Sequence, residues 1–429
     1  MPAQPSPATF SDDAPQELAP CSLQEQADEV RYVARQPILD RRGKVHGYEL
    51  LLWNGREPAF GAESELAARA LLGNAIVFGV EQLTSGQTAF VQCTADSLSE
   101  DWVRRLPPKL TVLELQEDAD PSPKLIADCR KLKLLGFRLA LNDFTGKLWS
   151  KPLLELADYV KVDIAKAGIA ERRNLPGRLE GVSARPIAKN VETQKDYKQV
   201  CGEGFDLFQG YYFCRPEPIK NHKIPANRMV QIEIMEFLQK DPVDLNRLSQ
   251  LVMCDASLTY GLLRLVNSPV CAMRQEVTSI QSALMLLGQE TFRRIVMLAI
   301  AGDFNNGQPT ELLRMAFERG RLCELCAELL GLVPTEQYLI GMVSMFSPML
   351  RIPMEDLVQL LPLREGACDA LLGKGNREGV LLDWLVCLDR GDWPACKAIL
   401  ESNGLRFNQV MWRYAEAVAW AQAALKATI

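Results

Sequence analysis

The sequence predicts an α/β TIM-like (β/α) barrel followed by an all-α helical domain. Three observations predict it. Short apolar runs recur through the first half, and each stops on polar residues. Amphipathic stretches of helical spacing lie between these runs. From about Met229 onward apolar residues recur at three and four throughout. A strand–helix repeat is the βα unit, and about seven or eight such units close into a barrel whose site lies at the carboxyl ends of the strands. The periodicity alone also fits a doubly wound sheet.

The chain of 429 residues is 48% hydrophobic, enough for two or three sizeable cores. Residues 1–30 hold Asp12, Asp13, Glu17, Glu25, Asp28 and Glu29 with no Lys or Arg, so the net charge of −6 resides there. Prolines 2, 5, 7, 15 and 20 and the scarcity of aromatics mark this stretch as a disordered acidic tail. The remainder is balanced in charge, which argues against nucleic acid or an anionic membrane as partner. No apolar run is long enough to span a membrane and no secretory leader is seen, so a cytoplasmic protein is expected. The 12 cysteines show no disulfide framework and read as reduced thiols.

In residues 33–53 the pattern gives a strand, a turn at Arg42-Gly43 and a second strand ending near Glu49. A helix is expected over Ser64 to Gly79 and another over Lys124 to Leu135. Further strands deliver Gln92, Glu114 with Glu117, Asn142, Lys161 with Asp163, Lys189, and Gln209 to their ends. The barrel is expected to occupy 31–217. Pro216, Pro218 and Pro225 among charges mark a linker over 218–228. Residues 229–429 read as ten or more short helices, with Gly288, Gly331 and Gly391 at helix ends and Asp255 as an N-cap. Trp412, Tyr414 and Trp420 have helical spacing and are expected in the core. Cys323 and Cys326 read as two half-buried thiols, and His46 as an ordinary exposed histidine.

The barrel mouth would gather Glu49, Gln92, Glu114, Glu117, Asn142, Asp143, Asp163 and Glu192 as oxygen donors, with Lys161 and Lys189 beside them. Carboxylates plus an amide suit Mg²⁺ or Mn²⁺ better than zinc, because no His or Cys cluster accompanies them. Such an ion would polarise a phosphate and generate hydroxide from bound water. Any one of these residues is equally well an ordinary polar cap of a barrel strand. Only the set favours a site.

Residues 33–217 resemble the EAL domain, the cyclic di-GMP phosphodiesterase fold, here in a shortened form. ARQPILDRRGKVHGYELLLW resembles its opening, with Glu49 where the signature Glu stands. LNDFTG resembles DDFGTG, KVD at 161–163 matches KxD, AKNVET resembles AEGVET, and FQGYYFCRP matches QGYxFxxP. The resemblance implies that Glu49, Glu114, Glu117, Asp143, Lys161, Asp163, Glu192 and Gln209 are retained site positions. It implies equally specific losses. Gln92 replaces a metal-binding Asn, and Asn142 replaces an Asp. Lys189 stands where the general-base Glu is expected, Trp53 replaces a phosphate-contacting Arg, and Thr145 replaces a Gly and disfavours a positive φ. Losing a base alone typically costs about 10²–10⁴-fold.

The second half resembles the HDOD domain, a non-catalytic relative of the HD phosphohydrolases, through DASLTYGLLRLVNSP, TSIQSALMLLGQETFRRIVML and YLIGMVSMFSPML. HD enzymes bind metal through several His and Asp residues. This chain has only His46 and His222, and Ser344 and Met345 stand where the HD pair would be.

These resemblances imply an EAL–HDOD signalling protein that is not an enzyme. No catalytic residue, metal or cofactor is expected, although weak Mg²⁺ or Mn²⁺ binding at the mouth is compatible with the residues kept. The expected partners are other signalling proteins, met through the Leu- and Met-rich HDOD helices. The alternative is a cyclic di-GMP receptor with contacts from Glu49, Trp53, Asp143, Lys161, Lys189 and Gln209. A weak phosphodiesterase ranks third.

Overall fold

Eight strands close into a barrel in sequence order. They are β1 (Tyr32–Asp40), β2 (Val45–Trp53), β3 (Thr88–Gln92), β4 (Thr111–Gln116), β5 (Arg138–Asn142), β6 (Tyr159–Asp163), β7 (Arg185–Lys189) and β8 (Leu207–Gln209). The doubly wound alternative is thereby excluded. The computed structural model describes residues 32–53, 80–99, 103–147, 150–210, 212, 229–239, 245–269, 271, 273, 275–305, 308–361 and 363–428. The tail, the helix expected at Ser64 to Gly79, the linker, His222 and the Trp53 side chain lie outside the described residues.

β1 runs antiparallel to both of its neighbours, β2 and β8, whereas β2 to β8 are mutually parallel. The β1–β2 hairpin turns at Gly43, whose φ of +75° suits glycine. β2 continues to Trp53 rather than ending near Glu49, because it pairs with β1 over its length. The short helices of the barrel are α1 (Val80–Thr84), α2 (Pro123–Leu134), α3 (Lys151–Leu154), α4 (Ile169–Arg173), α5 (Leu175–Arg178) and α6 (Gln194–Gly202). α2 starts where Ser122 Oγ accepts from Leu125 N and buries Leu125, Cys129 and Leu132 at helical spacing against the sheet.

The second half is helical among the described residues. It comprises α7 (Met229–Gln239), α8 (Leu245–Met253), α9 (Ala256–Val266), α10 (Ile280–Phe304), α11 (Thr310–Cys326) and α12 (Pro334–Val343). There follow α13 (Phe346–Leu350), α14 (Met354–Leu360), α15 (Glu365–Leu371), α16 (Val380–Arg390), α17 (Trp393–Ser402) and α18 (Phe407–Thr428). Asp255 caps α9 by accepting from Leu258 N. Gly331 and Gly391 take left-handed C-cap positions. Gly288, at φ 71°, ends the first of two helical stretches that meet at a kink within α10, as the sequence reading expects. No helix of the described residues is long and apolar enough to cross a membrane.

Two side-chain expectations need correction. Trp412 is 59% exposed, while Tyr414 is buried and Trp420 packs against the core. The spacing of these three residues carries them across the apolar stripe and out of it. Cys323 and Cys326 are fully rather than half buried. All cysteines among the described residues are free thiols.

Barrel and helices form one compact unit over residues 31–429. β1 and β2 are joined by a tight turn, so no crossover helix is available to cover their outer face. α11 covers it instead. Tyr48 Oη donates to Glu311 Oε2 at 2.9 Å, Arg314 Nε donates to the same carboxylate at 2.9 Å, and Arg35 pairs with Glu318. All five residues are buried.

Candidate functional site

Register places three layers inside the barrel. The floor is apolar: Ile38, Phe90, Val112, Ala140, Tyr159, Ile187 and Leu207 form one buried cluster. Two residues further along each strand the inward side chains turn polar. Glu49, Glu114, Lys161 and Gln209 make the middle layer, and Gln92, Asn142, Asp163 and Lys189 lie at the mouth. Strand ends therefore hold only part of the set. Glu49, Glu114 and Lys161 lie inside their strands, one layer deeper than the sequence suggests.

In the middle layer Lys161 is completely buried between two carboxylates. Its Nζ stands 2.7 Å from Glu49 Oε2 and 2.7 Å from Glu114 Oε1. Gln209 Nε2 donates to Glu49 and, at 2.5 Å, to Gln36 Oε1. Burial pushes the Glu49 carboxyl up, but Lys161, Lys189 and the Gln209 hydrogen bond outweigh it and hold the group at about 2. For Glu114 burial prevails over Lys161, the Glu49 charge adds to it, and the carboxyl rises to about 7. Burial opposes the Lys161 charge, yet Glu114 and Glu49 raise its pKa. Glu114 Oε2 has no hydrogen-bond partner among the described residues.

At the mouth Lys189 Nζ donates to Asn142 Oδ1 at 2.8 Å and to Asp143 Oδ1 at 3.1 Å. Lys166 Nζ lies 3.6 Å from Asp143 and 3.5 Å from Asp163. Asp143 holds φ 51°, which turns the chain off the end of β5. The positive φ values of this loop fall on Asp143 and Gly146, so Thr145 is spared one.

Glu117 is not a mouth ligand. Its carboxylate accepts from Thr145 N and Oγ1, Gly146 N, Lys147 N and Ser150 Oγ, and so fastens the loop after β5. That leaves little capacity for a cation. Glu192 is exposed in the loop before α6, and Gln92 is half-buried at the end of β3. Among the described residues no three His, Cys, Asp or Glu side chains converge as metal ligands. The sequence reading missed Gln36, a residue of β1 whose inward position follows from its pairing with Glu49.

His46 is half-buried at the opposite end of the barrel. It packs edge-on to Tyr159 at 5.6 Å and shares a 3.1 Å hydrogen bond with the Tyr159 hydroxyl. Burial, then Arg185 and Arg138, push its pKa down to about 4. It is therefore neither exposed nor ordinary.

The chain is similar to several known proteins. The HDOD domain model matches residues 224–345, beginning inside the stretch read as linker. The uncharacterized protein YuxH of Bacillus subtilis is 32% identical over 404 residues, covering 91% of this chain and 97% of YuxH. The cyclic di-GMP phosphodiesterase CdgJ of Vibrio cholerae is 31% identical over 399 residues, covering 91% of this chain and 92% of CdgJ. Among solved structures, the FimX EAL domain aligns at 21% identity with a TM-score of 0.37, over 44% of this chain and 90% of that one. The EAL domain of Mycobacterium smegmatis DcpA aligns at 19% identity and TM-score 0.36, over 42% of this chain and 91% of that one.

Proposed function

Because the chain belongs to the EAL–HDOD family of signalling proteins, we propose that it is a non-catalytic regulator in cyclic di-GMP signalling that works through protein contacts. CdgJ, by its name a cyclic di-GMP phosphodiesterase, supplies the link to that nucleotide. The departure from hydrolysis is carried by one observation, the position of the Lys189 ammonium between Asn142 and Asp143.

Hydrolysis at such a mouth needs a divalent cation and a group that accepts a proton from its water. The residues present do not fit the cation. The oxygens of Asn142 and Asp143 already face an ammonium, and Glu49 with one oxygen of Glu114 is claimed by Lys161. A divalent ion would stand against Lys189 at close range, where like charges repel strongly outside bulk water. A protonated lysine also accepts no proton. Exposed apolar side chains on α8 to α10 (Met253, Tyr260, Met285 and Leu286) support the helical domain as the contact region.

The test is a hydrolysis assay on cyclic di-GMP with Mg²⁺ or Mn²⁺. The wild type is expected to match a Lys161→Ala control, and metal-dependent turnover above that control overturns the proposal. One observation favours a second reading, a nucleotide receptor. The ammoniums of Lys189 and Lys166 both reach the mouth, where a phosphodiester would meet them without metal. Equilibrium dialysis with and without Mg²⁺ decides it, since absence of binding at high micromolar nucleotide removes the receptor.

A further inference from the structure

The mouth of the barrel is not bounded by barrel residues alone. On the β1–β2 side the inward register continues past Gln36 and Glu49 to Ala34 and Leu51. Ala34 is 1% exposed and belongs to one apolar cluster with Leu322 of α11 and with Trp384, Leu385 and Leu388 of α16, and Leu51 packs against it. Gly391 caps α16 at φ +72°, and a Cβ there would stand 3.1 Å from Leu51 Cδ1. The C-terminal turn of α16 therefore rests on the rim of the barrel.

The same turn is hydrogen-bonded into the barrel. Gln36 Nε2 donates to the Asp389 carbonyl at 3.2 Å, and Gln36 Oε1 accepts from Gln209 Nε2. Gln209 also donates to Glu49, which faces Lys161, which faces Glu114. An unbroken polar chain thus runs from the backbone of a helix in one domain to a fully buried charge in the other. The turn has a second tether, because the Asp389 carboxylate holds Arg319 Nη2 of α11 at 2.7 Å.

We propose that the C-terminal turn of α16 is a latch on the barrel mouth, and that the latch and the buried Glu49–Lys161–Glu114 triad form one energetic unit. The physical basis is that buried polar groups tolerate no missing partner. If the triad is rearranged, Glu49 reorients, Gln209 and Gln36 must follow, and Asp389 loses its donor. Linkage makes the effect reciprocal, so a partner that lifts α16 also loosens the triad. The inference needs no ligand and stands apart from the functional reading above. Through this chain of contacts a change inside the barrel would reach the helical domain.

Amide hydrogen exchange on the full chain tests it. Lys161→Met is expected to speed exchange in residues 386–391 by about tenfold or more beyond the change in α9, which reports its global loss of stability. The control Lys133→Met breaks the ion pair with Asp158 on the outer side of the barrel and should leave α16 unchanged. Gln36→Leu removes the connecting side chain and is expected to speed exchange both in α16 and in β8. Combined with Lys161→Met it should add nothing further at α16. The proposal is overturned if α16 exchange in Lys161→Met stays at the wild-type rate, or if the two effects at α16 are additive. Should Lys161→Met fail to fold, Gln36→Leu decides alone, and unchanged exchange at either end refutes the latch.

Discussion

Two lysines govern the barrel interior, by different physics. Lys161 is a structural charge: fully buried, it neutralises Glu49 and part of Glu114. Removing it strands buried carboxylates, so Lys161→Met should cost about 3–5 kcal/mol in urea unfolding. Lys189 lies nearer solvent and decides what the mouth can attract. His46 gives a pH signature. Its folded pKa is lowered from 6.5 to about 4, so above pH 6.5 both states are neutral and nothing is lost. As pH falls from 6.5 towards 4 the unfolded chain takes up a proton that the folded one refuses, and stability declines. His46→Gln should flatten that slope, and unfolding midpoints measured between pH 7 and pH 4.5 check it.

The elements most sensitive to change are those packed without spare volume. α11 and α12 meet at glycines. A Cβ on Gly341 would stand 2.5 Å from the Arg319 carbonyl and 2.8 Å from Gly320 Cα, both backbone. Backbone cannot step aside as a flexible side chain can, so Gly341→Ala should cost about 1–3 kcal/mol, read as a lowered melting temperature. The loop after β5 shows the opposite strategy. Phe144 anchors its start in the barrel core, but from Thr145 onward it hangs on the Glu117 carboxylate. Glu117→Gln retains only some of these acceptances, so the loop at residues 145–150 should become the first site of limited proteolysis while the barrel stays folded.

At the scale of the whole molecule, the antiparallel β1–β2 hairpin explains why two folds share one compact unit. A parallel strand brings its own covering helix, but a hairpin does not. Tyr48 and Arg35 therefore face α11, where Glu311, Arg314 and Glu318 complete a buried ionic cluster. A chain truncated after residue 217 would expose that face, and it is expected to aggregate where the full chain stays monodisperse in size-exclusion chromatography.

The sequence by itself determined the strand–helix repeat and the helical domain, because strand and helix periodicities are local, and its contiguous strand-end motifs pointed to a barrel whose closure the tertiary structure decided. It also determined which mouth residues carry charge, since Asn142 and Lys189 are plain to read. Depth and partnership were settled only in three dimensions. Whether Glu49, Glu114 and Lys161 sit at the rim or one layer down depends on the register between strands far apart in the chain. The role of Glu117 as a loop anchor, the burial of His46 and the exposure of Trp412 likewise depend on what packs opposite them. The contact of α16 with Gln36 joins residues 353 positions apart, and no local pattern encodes such a meeting. It arises because the hairpin leaves a face uncovered and the helices that cover it come from the other end of the chain.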